Sequence, residues 1–257
     1  MVSLMVVSMV TGVPGGVIHH GSDVVSAQQM VEVLSGAEVV FVGEKHDDTI
    51  AHQWELFIWE SLASDNRALA LEMFETDVQT ILDSYLAGEV TEDEFLAESR
   101  PWGNYPADYS PMVNYAKENG YRVIAANVPR SFAAAVARGG LGAVLQEPGF
   151  ESLSVDSSNA GYRERFLATM DAIGDQMHGM PVDPENMYRA QLLKDAVMAQ
   201  SVRNMEVLFV CGSFHSDYRS GIPDQLPCKD FLTVTVLGEG EQYSRDLADF
   251  VIVRDGQ

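Results

Sequence analysis

The run Ala37-Glu38-Val39-Val40-Phe41-Val42-Gly43 constrains this chain more than any other segment. It is short, β-branched and apolar, and it closes on glycine, as a strand buried on both faces does. Such a strand needs cover on both sides of its sheet, which helical crossovers between parallel strands supply. The following residues fit that demand. Asp48 or Thr49 can cap a helix on which Trp54, Phe57, Ile58 and Leu62 share one face. Arg67 to Met73 reads as the next strand, residues 77 to 87 as a helix, and Thr91 with Glu94 has the spacing of a capping box. The loop from Arg100 to Pro111 is rich in aromatics and turn formers. A helix ending near Asn119 and Gly120 leads to a third strand, Arg122 to Ala126, and Pro129 opens a helix to residue 138. A fourth strand, Val207 to Val210, ends in Cys211-Gly212, and late strands are expected at Leu232 to Leu237 and Phe250 to Arg254.

Strand alternating with helix predicts an α/β fold: a mostly parallel central sheet with helices on both faces. Residues 140 to 205 read as all-helical with a break at Gly174 to Pro184. That stretch is too long for one crossover and is expected to be a helical cap inserted in a single domain spanning residues 1 to 257.

With 38 acidic against 16 basic residues, the formal net charge is −22. Such a surface repels phosphate backbones and anionic lipid, which argues against nucleic acid or a membrane surface as the main partner. No apolar run approaches the ~18 residues of a membrane span, so a soluble chain without an integral membrane segment is expected. Met1 to Gly16 is apolar without Lys or Arg, lacking the basic stretch of a signal peptide, and no cysteine follows to accept a lipid. Cys211, at the end of an apolar run, reads as a buried inert thiol. Cys211 and Cys228 together make neither a zinc site nor a disulfide framework.

The chemistry lies in a pattern that occurs twice after a buried strand: Gly43-Glu44-Lys45-His46 and Gly212-Ser213-Phe214-His215. In open parallel sheets, ligands bind beyond the carboxyl ends of the strands. Glu72 ends a further strand, and Asn127 with Arg130 follows another, so four strand ends deliver polar side chains to one rim. Each glycine lets the chain turn sharply and lets another group approach its backbone. Two neutral imidazoles, His46 and His215, with Glu44 and Glu72 form a plausible site for Zn²⁺, Mn²⁺ or Co²⁺. A carboxylate not engaged as a ligand can act as general base on bound water. A single Gly-x-x-His is weak, and one such histidine alone reads as structural; two at strand ends, joined by Glu72, are harder to dismiss. His52, inside the first predicted helix, reads as a supporting or surface residue rather than a ligand. Arg130 can balance a carboxylate or hold an anionic group.

The segments VVFVGEKHDDTIAH, ALEMFE, WGNYPADYSPMVNYAKENGYRVIAANVPR, YRAQLLKDAVMAQSV and GSFHSDYRSGIP, in this order, resemble the ChaN-like haem-binding uptake proteins. These are a branch of the Tiki/TraB/erythromycin-esterase superfamily, and the resemblance covers about residues 36 to 255. It marks Glu44, His46, Glu72, Asn127, Arg130, Gln191, Asp195 and His215 as site positions. It implies haem as cofactor and a carrier or store in iron uptake, with a metal-dependent peptidase or esterase as the alternative. Lys45-His46-Asp47 departs from the relatives, which commonly have a small or acidic residue before the histidine and glycine after it. Gln191 and Asp195, four apart on a predicted helix, share a face and can support His46 or His215. The resemblance implies tyrosine ligation of haem iron, for which Tyr105, Tyr109 and Tyr188 are candidates. Met177-His178-Gly179-Met180, in the break of the cap, is another. A homodimer built around the loop 100 to 111 is compatible with a haem pocket at a subunit interface.

Overall fold

The computed structural model describes residues 12–150, 152–174, 183–227 and 230–254. One eight-stranded sheet organises them. Its strands are β1 (Val17–His20), β2 (Asp23–Val25), β3 (Val39–Glu44), β4 (Arg67–Glu75), β5 (Val123–Asn127), β6 (Glu206–Gly212), β7 (Phe231–Val236) and β8 (Phe250–Val253), in the spatial order β2-β1-β8-β7-β3-β6-β4-β5. Pairing is parallel from β8 through β5 and antiparallel only where β1 meets β2 and β8. The sheet is therefore mostly parallel, as the apolar strand runs predict. The β1–β2 hairpin was not anticipated: only Ile18 of β1 is fully buried, so its sequence carries little periodic signal.

Alternate residues of the central strands face opposite layers, and both faces are covered. Val40, Val42, Leu69, Leu71, Leu208 and Val210 pack against helices α1 (Ala27–Leu34), α2 (Thr49–Leu62), α3 (Gln79–Leu86), α4 (Glu92–Ser99), α5 (Tyr105–Asp108) and α6 (Ser110–Asn119). Val39, Phe41, Ala68, Ala70 and Phe209 pack on the other side, where α7 (Arg130–Gly139), α8 (Ala160–Gly174) and α9 (Pro184–Ser201) lie, with Met198, Ala199 and Val202 in direct contact. Each fully buried Val, Leu, Ile or Phe contributes about 1.5–3 kcal/mol, so the two layers fix the strand order and with it the rim. Helix starts follow the local chemistry: Asp48 Oδ1 accepts from Ile50 and Ala51 N–H, and Thr91 with Glu94 forms the expected capping box.

Within the inserted stretch, α9 lies on the sheet as the crossover into β6, and α8 packs on α9 through Tyr162 against Tyr188 and Leu192. Between residues 144 and 159 none of the described residues is helical, contrary to the all-helical expectation. Pro148, Gly149 and the polar run Asp156-Ser157-Ser158-Asn159 are turn formers, and they outweigh the flanking helical pattern. At the far edge of the sheet, the Gln79 side chain lies along β5. Its amide oxygen accepts from Ala125 N–H at 2.7 Å, and its amide nitrogen donates to Val123 C=O at 2.9 Å. Among the described residues no helix is long and apolar enough to cross a membrane.

Candidate functional site

The two Gly-x-x-His segments meet because their strands are neighbours: β3 pairs β6 in parallel with Gly43 opposite Cys211 and Glu44 opposite Gly212. Each glycine makes room for the other motif. A Cβ on Gly43 would lie 2.9 Å from Ser213 Cα, and one on Gly212 would lie 2.9 Å from His46 Cε1 and 3.0 Å from its Nε2. Neither position tolerates a side chain without moving its neighbour.

Glu72 reaches the same point from β4. The β4–β6 ladder ends at Leu71–Val210, and the β4–β5 register shifts between Leu71 and Glu75. Glu72 sits in that irregular stretch, and its Oε2 accepts the Gly212 N–H at 2.8 Å. Its Oε1 lies 3.3 Å from His215 Nε2. On the other side of the His215 ring, Nδ1 meets Asp195 Oδ1 at 2.5 Å, and Tyr162 donates to Asp195 Oδ2 at 2.7 Å. The Gln191 amide nitrogen lies 3.2 Å from the Tyr162 hydroxyl, to which it donates, and 3.3 Å from both His215 ring nitrogens. Gln191 and Asp195 thus serve His215 rather than His46, as their shared helix face allows. Burial alone would depress the His215 pKa, but the Glu72 and Asp195 carboxylates outweigh it and push it to about 10. Burial likewise opposes ionisation of Glu72, yet His215, His46 and the Gly212 N–H hold it near 2. His215 is therefore an imidazolium at neutral pH, with both ring nitrogens engaged.

His46 has a different setting. Its side chain is 45% exposed, its Nδ1 lies 2.9 Å from Glu44 Oε1, and its ring stands edge-on to Trp102 with 4.3 Å between centroids. Glu44 itself is buried, and Tyr109 donates to the same Oε1 at 2.5 Å. Behind Glu44 lie His52 and Glu55, both buried on α2. His52 Nδ1 is 2.9 Å from Glu55 Oε2 and 3.1 Å from Glu44 Oε2. His52 is accordingly no surface residue; it supports Glu44 from within. Burial, with Glu44 alongside, drives the Glu55 carboxyl well above the usual carboxylate range.

The remaining expected site residues are spread more widely, with Tyr109 alone of them touching Glu44. Arg130 is largely exposed and pairs with Glu75 through Nε at 2.5 Å, and Asn127 pairs with Glu75 in the β4–β5 ladder. Tyr105, Tyr109 and Tyr188 are all buried: Tyr109 is hydrogen-bonded to Glu44, and the hydroxyls of Tyr105 and Tyr188 have no hydrogen-bond partner among the described residues. Desolvation raises the Tyr188 phenol to about 12. Cys211 is buried, and burial pushes its thiol well above the usual range, as expected of an inert core cysteine. His178 with its flanking methionines, and Cys228, lie outside the described residues. His52, Glu55 and Tyr162 were not marked as site residues. Glu55 did carry a signal: it falls four residues after Ala51, three before Ile58 and four before Trp59, a carboxylate inside an apolar helical stripe.

A comparison with curated proteins by sequence finds no match. Among solved structures, the chain is similar to ChaN of Campylobacter jejuni, described for its cofacial haem binding. The TM-score is 0.76 at 20% identity, over 94% of this chain and 98% of that one. Weaker likenesses are to the type III effector HopBA1 (TM-score 0.48, 13% identity, 87% of this chain and 90% of that one) and to a mutant erythromycin esterase in its open conformation (TM-score 0.46, 14% identity, 88% and 78%). A family model described as haem-binding uptake, Tiki superfamily, ChaN matches residues 30–226, which take in β3 to β6 and every histidine and carboxylate of the rim, and the chain belongs to that family.

Proposed function

We propose that this protein binds haem at the carboxyl rim of its sheet, as a carrier or store in iron uptake, with His46 as the side chain offered to the iron. The observation that carries this reading is the contrast between the two motif histidines. His215 is enclosed between two carboxylates, whereas His46 is half-exposed, anchored at Nδ1 by Glu44 and flanked by Trp102. A carboxylate on one ring nitrogen fixes the tautomer and makes the other nitrogen a stronger donor to a metal. Haem, when bound, would supply an iron that accepts imidazole as a ligand. Trp102 supplies an aromatic wall beside that imidazole. Membership of the family and the cofacial haem described for the Campylobacter ChaN support the ligand class. The metal-dependent hydrolase alternative draws less support, because the family match and the Campylobacter ChaN likeness both favour haem.

Titration of chelator-treated protein with haemin, read in the Soret region, tests the reading. The expected result is a saturable band that His46→Ala weakens by roughly 100-fold, the upper end of what changes around a metal site cost in affinity. Weak, non-saturating absorbance in the wild type would sink the reading. An unchanged isotherm in His46→Ala would reassign the iron ligand.

A further inference from the structure

We infer that Glu44, His52 and Glu55 form a binding site for a first-row divalent cation, beneath the rim and separate from the haem. One ring nitrogen of His52 and one oxygen from each carboxylate lie within 4.8 Å of one another, and all three residues are buried. The arrangement differs from a pairing of the two Gly-x-x-His histidines: it takes only Glu44 from that rim and draws its other two ligands from α2.

Three observations point to a cation. The first is the orientation of His52. Its Nε2 is directed at the His46 carbonyl oxygen, 3.2 Å away, with Asp108 Oδ2 at 3.6 Å. Those acceptors can take an Nε2–H when a cation engages Nδ1, the arrangement of a metal-binding histidine. The second is an excess of buried acceptors. Among the described residues, Glu44 Oε2 and Glu55 Oε1 meet no hydrogen-bond partner although both residues are almost fully buried. Glu44 Oε2 stands 3.1 Å from His52 Nδ1, but as an ion pair by distance and not as a directed hydrogen bond. Buried oxygens of this kind are costly unless something positive meets them. The third is charge. Glu44, Glu55 and Asp108 place three acidic side chains within 3.6 Å of one imidazole. A divalent ion held by two carboxylates and a neutral imidazole neutralises both of its own ligands. Mixed imidazole and carboxylate donors suit Zn²⁺, Mn²⁺ or Fe²⁺.

Such an ion has a definite effect on the rim. Glu44 would offer Oε2 inward to the cation while its Oε1 continues to hold His46 and Tyr109. The cation would thus fix the carboxylate that orients the exposed imidazole, a positioning role.

Equilibrium dialysis of the full chain, stripped with chelator and free of haem, against Zn²⁺ and then Mn²⁺, with bound metal measured by elemental analysis, tests this. One equivalent is expected in the wild type and in His46→Ala. Glu55→Gln should lose it, and Glu55→Asp should bind roughly 10- to 100-fold more weakly. Circular dichroism establishes that the variants are folded. A long-range proton–nitrogen spectrum of the ¹⁵N-labelled wild type, with and without Zn²⁺, should show one imidazole Nδ1 resonance moving on saturation, a readout that needs no variant. Haemin binding by Glu55→Gln should persist, which separates this site from the haem reading. No bound ion, no imidazole shift, or an ion lost in His46→Ala and kept in Glu55→Gln would each overturn the proposal.

Discussion

Replacing His215 by alanine is expected to destabilise the protein by about 3–5 kcal/mol at pH 7, because it leaves two buried carboxylates without their common cation. For a chain of this size that corresponds to a fall of roughly 10 °C in melting temperature. Glu72 and Asp195 are 5% and 0% exposed, so solvent cannot replace the imidazolium. The effect also has a pH signature with a fixed sign. The His215 pKa is raised in the fold, from 6.5 to about 10. Its contribution is therefore complete below pH 6.5 and declines as pH rises, vanishing beyond about 10. Glu72 has the opposite sense, lowered from 4.5 to about 2, so its share is present above pH 4.5 and is lost as pH falls through 2. Thermal melts of wild type and variant between pH 6 and 10 should converge at the alkaline end. A gap that stays constant across that range would show that packing, and not charge, accounts for it.

Gly221→Ala is expected to cost about 3 kcal/mol or more, at or beyond the upper end for a strained backbone position. Gly221 has φ +82° and ψ −114°, a conformation that residues with a Cβ rarely adopt. A methyl there would also lie 2.6 Å from the His215 carbonyl oxygen and 3.0 Å from its carbonyl carbon. Backbone atoms cannot rotate away as a side-chain tip does, so the segment carrying His215 has to shift. Gly120 provides the contrast: φ is +73°, and a Cβ there meets nothing within 4 Å. Gly120→Ala should therefore cost only about 1 kcal/mol, the intrinsic penalty of the left-handed region. Urea unfolding of the two variants measures the difference. Equal midpoints would mean that the contact with His215 relaxes without cost.

The two predictions rest on parts of the site that differ in how plainly the sequence reports them. The rim was readable because its strands are apolar on both faces and end in glycine, so the polar residues just after them had to emerge at one edge. Glu44, His46 and His215 follow from that rule, whereas Glu72 comes from β4, which has no glycine, and is legible only as the first polar residue after the apolar run of that strand. The support of His215 by Asp195 was half-readable: the spacing to Gln191 gives a shared helix face, but not which histidine the face meets. His52 and Glu55 were harder, since a carboxylate in an apolar stripe signals a buried partner without naming it. The partner, Glu44, comes from a strand end that only the folded packing of α2 brings close. The β1–β2 hairpin had no comparable signal, because β1 finds its partner in β8, at the other end of the chain. From 144 to 159, isolated turn formers interrupt a helical background, and none of the described residues there is helical.

The glutamine lying along β5 has a consequence for self-association. An edge strand offers a ladder of open donors and acceptors on which another chain can continue the sheet. Here Gln79 occupies that ladder at Val123 and Ala125, and its amide nitrogen is further tied to Asp83 at 2.8 Å. An incoming strand would have to displace a side chain already bonded three ways before it gained its first backbone contact. Growth of the sheet by a second copy is thereby disfavoured at β5, which directs any pairing of copies to side-chain surfaces elsewhere.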